Sequence, residues 1–185
     1  MKTSVLLSVV LAVLALLLAG CKEEKTVLPE VKVEPQGPQP TLPMAAITVR
    51  DVSLKVEVAT TDAQHEKGYM FRGPPKDSGM LFVWPKADYR SFHMKNVSFD
   101  LDLAYIGDNG VIFQILRMKA FRVQSPADRS PPYASLREAR YALEVPAGWF
   151  KEHGIAEGAA LKIPADVTES KPPGGPPSTS TGTAG

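Results

Sequence analysis

The sequence predicts a mainly β, α+β domain: a small antiparallel barrel-like or curled sheet of short strands, accompanied by two short helices. Three observations carry this expectation. Val52, Leu54, Val56 and Val58 alternate with Ser53, Lys55 and Glu57, the two-residue period of a half-buried strand. Short apolar runs recur from there to Ile163, separated by Gly, Pro, Asn and Asp in turn-forming positions. Only two stretches carry the boundary signals of helices, which favours a sheet closed on itself over helical layers.

Taken in order, the chain opens with Lys2 and an uncharged run over residues 5–18, which closes on Leu18-Ala19-Gly20-Cys21. The run is shorter than the ~20 residues of a membrane-spanning helix. Small residues stand where a peptidase requires an extended backbone, so residues 1–20 are expected to be a removable secretory signal. Leu-Ala-Gly-Cys resembles the lipobox of bacterial lipoproteins, which implies acylation of Cys21. This is the only cysteine, so an exported chain with no internal disulfide carries its one thiol at the cleavage point. Several acyl chains, at ~0.8 kcal/mol per buried methylene, would make such an anchor effectively permanent.

Residues 21–45 are charged, proline-rich and poor in aromatics, the composition of a flexible tether. Residues 165–185 turn to Pro, Gly, Ser and Thr and read as a disordered tail. Between them, residues 46–164 are long enough for one core. Thr61 is placed to cap a helix with Gln64 as its reciprocal partner. That helix should run to about Met70, before Gly73-Pro74-Pro75 forbids its continuation. Strands are expected over residues 52–58, 79–84, 89–95, 101–106 and 111–118, with Asp108-Asn109-Gly110 as a tight hairpin turn. Residues 120–134 read as a long irregular loop. A strand over 141–145, a short helix over 147–153 ended by Gly154, and a closing strand over 160–163 complete the domain.

Composition and motifs exclude several classes. The 21 basic and 20 acidic side chains become 20 and 20 once Lys2 leaves with the signal. Without a basic excess or stripe there is no counterion release to drive binding to a phosphate backbone, so nucleic acid is not an expected partner. His65-Glu66 begins like a zinc-protease helix, but Tyr69 stands where the second histidine is needed. There is no Gly-x-Ser-x-Gly elbow and no glycine-rich phosphate loop, and the single cysteine is assigned to lipid, so a covalent nucleophile is lacking. Met70, Met80, His93, Met94 and Met118 are soft or borderline metal ligands. Adjacent residues of a strand point to opposite faces, however, and methionine is a frequent core filler. No metal or cofactor is expected.

Several blocks resemble a known family in order and spacing: Val56-Glu57-Val58-Ala59 with Glu66-Lys67-Gly68-Tyr69-Met70-Phe71-Arg72, Gly79-Met80-Leu81-Phe82-Val83-Trp84-Pro85, Ser91-Phe92-His93-Met94-Lys95-Asn96 with Leu101-Asp102-Leu103-Ala104-Tyr105-Ile106, and Leu143-Glu144-Val145-Pro146-Ala147-Gly148-Trp149. This is similar to the domain of unknown function 192 family and covers nearly the whole domain. The resemblance implies a small barrel-like, often exported β domain and brings no established activity with it. The family commonly has a tryptophan where His93 stands, and some members carry middle-loop cysteines that are absent here.

The candidate binding residues are His93, Lys95, Asn96 and Asp102, with Arg72 as an outer contributor. On a strand His93 and Lys95 share the polar face, Asn96 stands at a turn, and Asp102 opens the next strand. A cation, an amide and a carboxylate at a barrel mouth could orient an anionic or carbonyl-bearing ligand. Equally, Lys95 could pair with Asp102 while Asn96 bonds its own backbone. The expected function is a membrane-anchored envelope lipoprotein that binds a small ligand or another envelope protein. Its alternatives are an enzyme using acid–base chemistry around Lys95, Asn96 and Asp102, or a purely structural envelope protein. Membrane lipid is reached through acylated Cys21. Lys22 lacks the aspartate associated with inner-membrane retention, so the expected location is extracytoplasmic, on the periplasmic side of an outer membrane where the host has one.

Overall fold

The computed structural model describes residues 37–121 and 129–168. The expected signal, Cys21, most of the tether, residues 122–128 of the middle loop and the tail beyond residue 168 lie outside the described residues. In chain order the elements are β1 (Met44–Val49), β2 (Val52–Ala59), α1 (Asp62–Lys67), β3 (Ser78–Asp88), β4 (Ser91–Phe92), β5 (Leu101–Ile106), β6 (Ile112–Met118), β7 (Tyr133–Ala134), β8 (Ala139–Pro146), α2 (Trp149–Glu152), β9 (Leu161–Lys162) and α3 (Ala165–Thr168).

Seven strands form one curled half-barrel in the order β6-β5-β8-β3-β2-β1-β9, and β4 pairs with β7 in a separate ribbon. The sheet stays open, although one bridge from Val111 to Ala160 brings its two ends together. The fold class is therefore mainly β, as expected, with one departure from antiparallel pairing. β2 and β3 run parallel, Val56 beside Gly79 and Val58 beside Leu81. Two parallel neighbours cannot be joined by a tight turn and need a crossover, which α1 and the turns after it provide.

Local chemistry explains most of the elements. α1 carries the full capping box: Gln64 N–H donates to Thr61 Oγ1 at 3.3 Å, while Gln64 Oε1 accepts from Thr61 N–H at 3.1 Å. The helix ends at Lys67, earlier than Met70, because Gly68 leaves helical space with φ +43°. β3 extends beyond the expected residue 84, but between Val83 and Asp88 its register with β8 slips. Pro85 lies in that bulge, where a missing N–H costs no ladder bond. The expected strand over 89–95 is reduced to β4, and Asn96 turns the chain with φ +58°. The β5–β6 hairpin forms at Asp108-Asn109-Gly110, where Gly110 N–H donates to the Gly107 carbonyl at 3.0 Å and Val111 N–H to Asn109 Oδ1 at 3.1 Å.

Both faces of the half-barrel are buried. The concave interior holds Ile47, Val56, Leu81, Ile106, Leu143 and Val145 around Trp149 and Phe150 of α2. The other face packs Met80, Phe82, Leu103 and Tyr105 against Tyr69, Met70, Phe92 and Met94. Met70, Met80, Met94 and Met118 are thus core residues. The segment before β1 also joins this second layer. Leu42 N–H donates to Glu57 Oε2 at 2.8 Å, and Gln39 Nε2 donates to the Gly68 carbonyl at 2.9 Å.

Candidate functional site

The alternation in β8 sends Tyr141, Leu143 and Val145 into the interior and Ala142 and Glu144 to the layer outside it. Across the sheet Glu144 lies in one row with Glu57 of β2, Met80 of β3 and Leu103 of β5. Close approach of β8 to β3 is set by Gly79, where a Cβ would stand 2.6 Å from the Glu144 carbonyl oxygen.

The two carboxylates of this row have different surroundings. Glu57 is closed off by Arg72, whose Nη2 reaches Oε1 at 2.6 Å and whose Nη1 reaches Oε2 at 3.1 Å, and by the Leu42 N–H. Glu144 is 4% exposed, and its Oε2 has no hydrogen-bond partner among the described residues. Burial without a compensating cation pushes this carboxyl up to about 8, so it is protonated at neutral pH.

Glu144 lines a cavity of about 190 Å³ together with His65, Gly68, Tyr69, Phe82, Trp84 and Phe92. Further residues of α1, β4 and the turn after it complete the wall, His93 and Val97 among them. Gly68 roofs the carboxyl: a Cβ there would lie 3.6 Å from Phe82 Cζ and 3.9 Å from Glu144 Oε2. The aromatic side is continuous. Phe82 meets Phe92 edge-on at 4.8 Å and stacks with Trp84 at 6.1 Å, and the His65 ring lies 4.6 Å from Trp84.

Among the described residues two other buried polar atoms of the lining lack partners, Tyr69 Oη and His65 Nδ1. Burial, reinforced by the nearby Glu144 and Glu57 carboxyls, pushes the Tyr69 phenol well above its ordinary value. Burial lowers the His65 imidazole and keeps it neutral. His65 Nε2 lies 3.0 Å from the Ala59 carbonyl, which can only accept, so the proton sits on Nε2 and Nδ1 is left as an acceptor.

The structure divides the sequence-predicted residues. His93 lies on the cavity wall. Arg72 holds Glu57 and covers the Tyr69 ring at 5.4 Å, which braces the wall from outside. Asn96 contributes its carbonyl oxygen, which accepts from Phe71 N–H at 2.9 Å. Lys95 is exposed. Asp102 is not brought to them. Between Leu101 and Leu103 it points to the interior side, where Arg117 Nε donates to Oδ1 and Gly148 N–H to Oδ2, the latter at 2.8 Å. The Lys95–Asp102 pairing considered from the sequence is replaced by an Arg117–Asp102 pairing, because the turn at Asn96 detaches residue 95 from strand alternation. Glu144, Tyr69 and His65 were not among the sequence candidates. A single glutamate in the apolar stretch Tyr141-Ala142-Leu143-Glu144-Val145 was the available signal.

These features define a small curled β domain with a buried, unpaired acidic residue in an aromatic cavity. Over residues 45–163 the chain matches the model of domain of unknown function 192, described as an uncharacterized ACR, and it belongs to that family. Among solved structures, a protein from Sinorhizobium meliloti, provisionally described as a transcription regulator, is 28% identical. It superposes with a TM-score of 0.58 over 67% of this chain and 96% of its own. A protein of unknown function from Novosphingobium aromaticivorans, 24% identical, has a TM-score of 0.59 over 69% of this chain and 91% of its own, a likeness of fold alone. The comparison with curated proteins found no match.

Proposed function

We propose that this chain is a lipid-anchored, extracytoplasmic module that binds a small ligand in the cavity between α1, β3, β8 and the turn after β4. One observation carries the reading: an aromatic-walled cavity contains buried polar atoms of Glu144, Tyr69 and His65 that nothing in the described protein satisfies. Each such atom costs about 1 to 3 kcal/mol when it is removed from water unpaired, and a ligand that pairs with them recovers this. Attachment through Cys21 and the tether would confine the domain to a thin shell near the membrane, where a modest affinity is useful through effective concentration. The test is a fragment screen on isotopically labelled protein. Binding should shift the amide resonances of residues 65–70, 91–97 and 142–145. Shifts confined to residues 129–137, or to a second groove lined by Met44, Val58, Pro164 and Val167, would put the binding site elsewhere and overturn the choice of cavity.

A further inference from the structure

The three unpartnered atoms differ in what they offer a ligand. Tyr69 Oη carries a phenolic proton that no described residue receives. Among the described residues Glu144 Oε2 has no partner either, and no cation contacts the carboxyl: Arg72 is committed to Glu57, and Arg90 lies 4.5 Å from the Trp84 ring. His65 Nδ1, in the tautomer set by the Ala59 carbonyl, can only accept. The other titratable residues of the wall are Glu66 and Lys67 on α1 and His93 beyond β4, while Glu57 and Tyr105 face Glu144 across the sheet. A protonated carboxyl and a phenol without partners among the described residues leave two O–H donors unused in the cavity. At 190 Å³ it is smaller than the ~300 Å³ at which drug-sized sites begin, and it suits one ring or a short chain.

We infer that the cavity selects a small molecule through a carbonyl or carboxylate oxygen, which takes up the unused O–H groups of Tyr69 and Glu144 while an apolar body lies against Phe82, Trp84 and Phe92. The inference rests on the proposed ligand-binding reading and adds the class of ligand. Glu144 serves as a donor only while protonated. Affinity is therefore full at neutral pH and falls as pH rises through about 8. A carboxylate falls more steeply than a neutral carbonyl, because it then meets a second negative charge.

Four probes of one shape test this on the purified chain: benzamide, benzoate, benzylamine and toluene. Benzamide or benzoate should bind about tenfold more tightly than benzylamine and toluene, the scale of one well-made hydrogen bond. The steepness of the decline above pH 8 tells neutral carbonyl from carboxylate. Tyr69→Phe should weaken the preferred probe about tenfold without lowering stability, since Oη has no partner to lose. Glu144→Gln keeps an N–H donor, so it should retain binding to within a few-fold and abolish the pH dependence. Toluene or benzylamine binding as tightly as the acceptor probes would overturn the donor assignment and leave the ligand-binding reading intact. Absence of any shift at the cavity from all four probes at about 10 mM, where even a millimolar Kd gives near-saturation, would overturn both.

Discussion

Glu144→Gln removes a titration while keeping the shape of the side chain, so it isolates what the buried carboxyl does to folding. In the unfolded chain this group ionises near 4.5, and in the folded protein near 8. Below pH 4.5 both states hold the proton and there is no penalty. As pH rises, the unfolded chain releases the proton and the folded one keeps it, so stability is lost progressively up to about pH 8. From 4.5 to 7 is 2.5 pH units, and at about 1.4 kcal/mol each the cost at pH 7 is roughly 3 to 4 kcal/mol. That is a large share of the ~5–15 kcal/mol that holds a typical domain folded. His65 acts in the opposite direction: its folded value is lowered, so stability falls as the unfolded imidazole protonates below about 6.5. The difference between wild type and variant cancels that contribution. Urea unfolding at pH 5, 6, 7 and 8 should therefore show the variant gaining on wild type at each step, by roughly 3 kcal/mol over the series. Parallel stability curves would mean that the carboxyl is solvated or paired, and the reasoning about the cavity would fail with it.

Asp102→Ala should lower stability by about 1 to 3 kcal/mol in urea unfolding, because it leaves the half-buried Gly148 N–H without its acceptor and removes the Arg117 contact. Probe binding at the cavity should not change, and a change would couple the two faces of the sheet. Thr61→Ala opens the capping box of α1 and should lower stability by about 1 kcal/mol; an unaltered urea midpoint would show that the packing of α1 makes the cap redundant. Metabolic labelling with a fatty-acid analogue should mark the wild-type protein and not Cys21→Ser, and label retained in the variant would refute the lipid anchor. A fragment starting at residue 46 should be less stable than one starting at residue 37, since it loses part of β1 together with the Leu42 and Gln39 bonds; equal unfolding midpoints would refute that assignment.

Much of the fold was legible because local rules and tertiary packing agree. β2, β5, the Asp108-Asn109-Gly110 hairpin and the Thr61–Gln64 box each state in sequence what they do in space. β1 was missed although Ile47 and Val49 alternate correctly, because its turn has no glycine or asparagine. Arg50 takes φ +57° there instead, its guanidinium held by Asp51 Oδ1 at 2.7 Å and the Gly154 carbonyl at 3.0 Å. β7 and α3 are too short to leave a period. The site was half legible. Phe92 and Met94 are buried and His93 and Lys95 exposed, the in-and-out pattern read from the sequence, yet the regular strand ends at Phe92 and that pattern says nothing about where the chain goes after Asn96. Glu144 escaped because a carboxylate in a strand is ordinarily solvated or paired, and only the neighbouring strands show that it is buried, with its Oε2 unpaired among the described residues.

The parallel β2–β3 step is what gives the cavity its roof. It obliges the chain to cross the outer face of the sheet between Ala59 and Ser78, and the crossing lays α1, Gly68 and Tyr69 over Glu144. The crossing is fastened to the turn after β4 by the bond from Phe71 N–H to the Asn96 carbonyl. Both of these residues occupy left-handed backbone space, with φ of +62° and +58°. For L residues that conformation costs roughly 1 to 2 kcal/mol, most of it avoidable with glycine. Asparagine tolerates it, but phenylalanine does not do so readily. Core packing gives no reason for the cost at Phe71, since its side chain is 41% exposed. What the two residues achieve is to hold Met70 on one segment and Val97 on the other against the same cavity. Two of the four positive-φ residues other than glycine among the described residues, Phe71 and Asn96, thus meet at this clasp, and backbone held in this way would preorganise the binding site proposed above. A domain selected for stability alone would be expected to fill the space beneath Gly68 and replace Glu144 by an apolar residue.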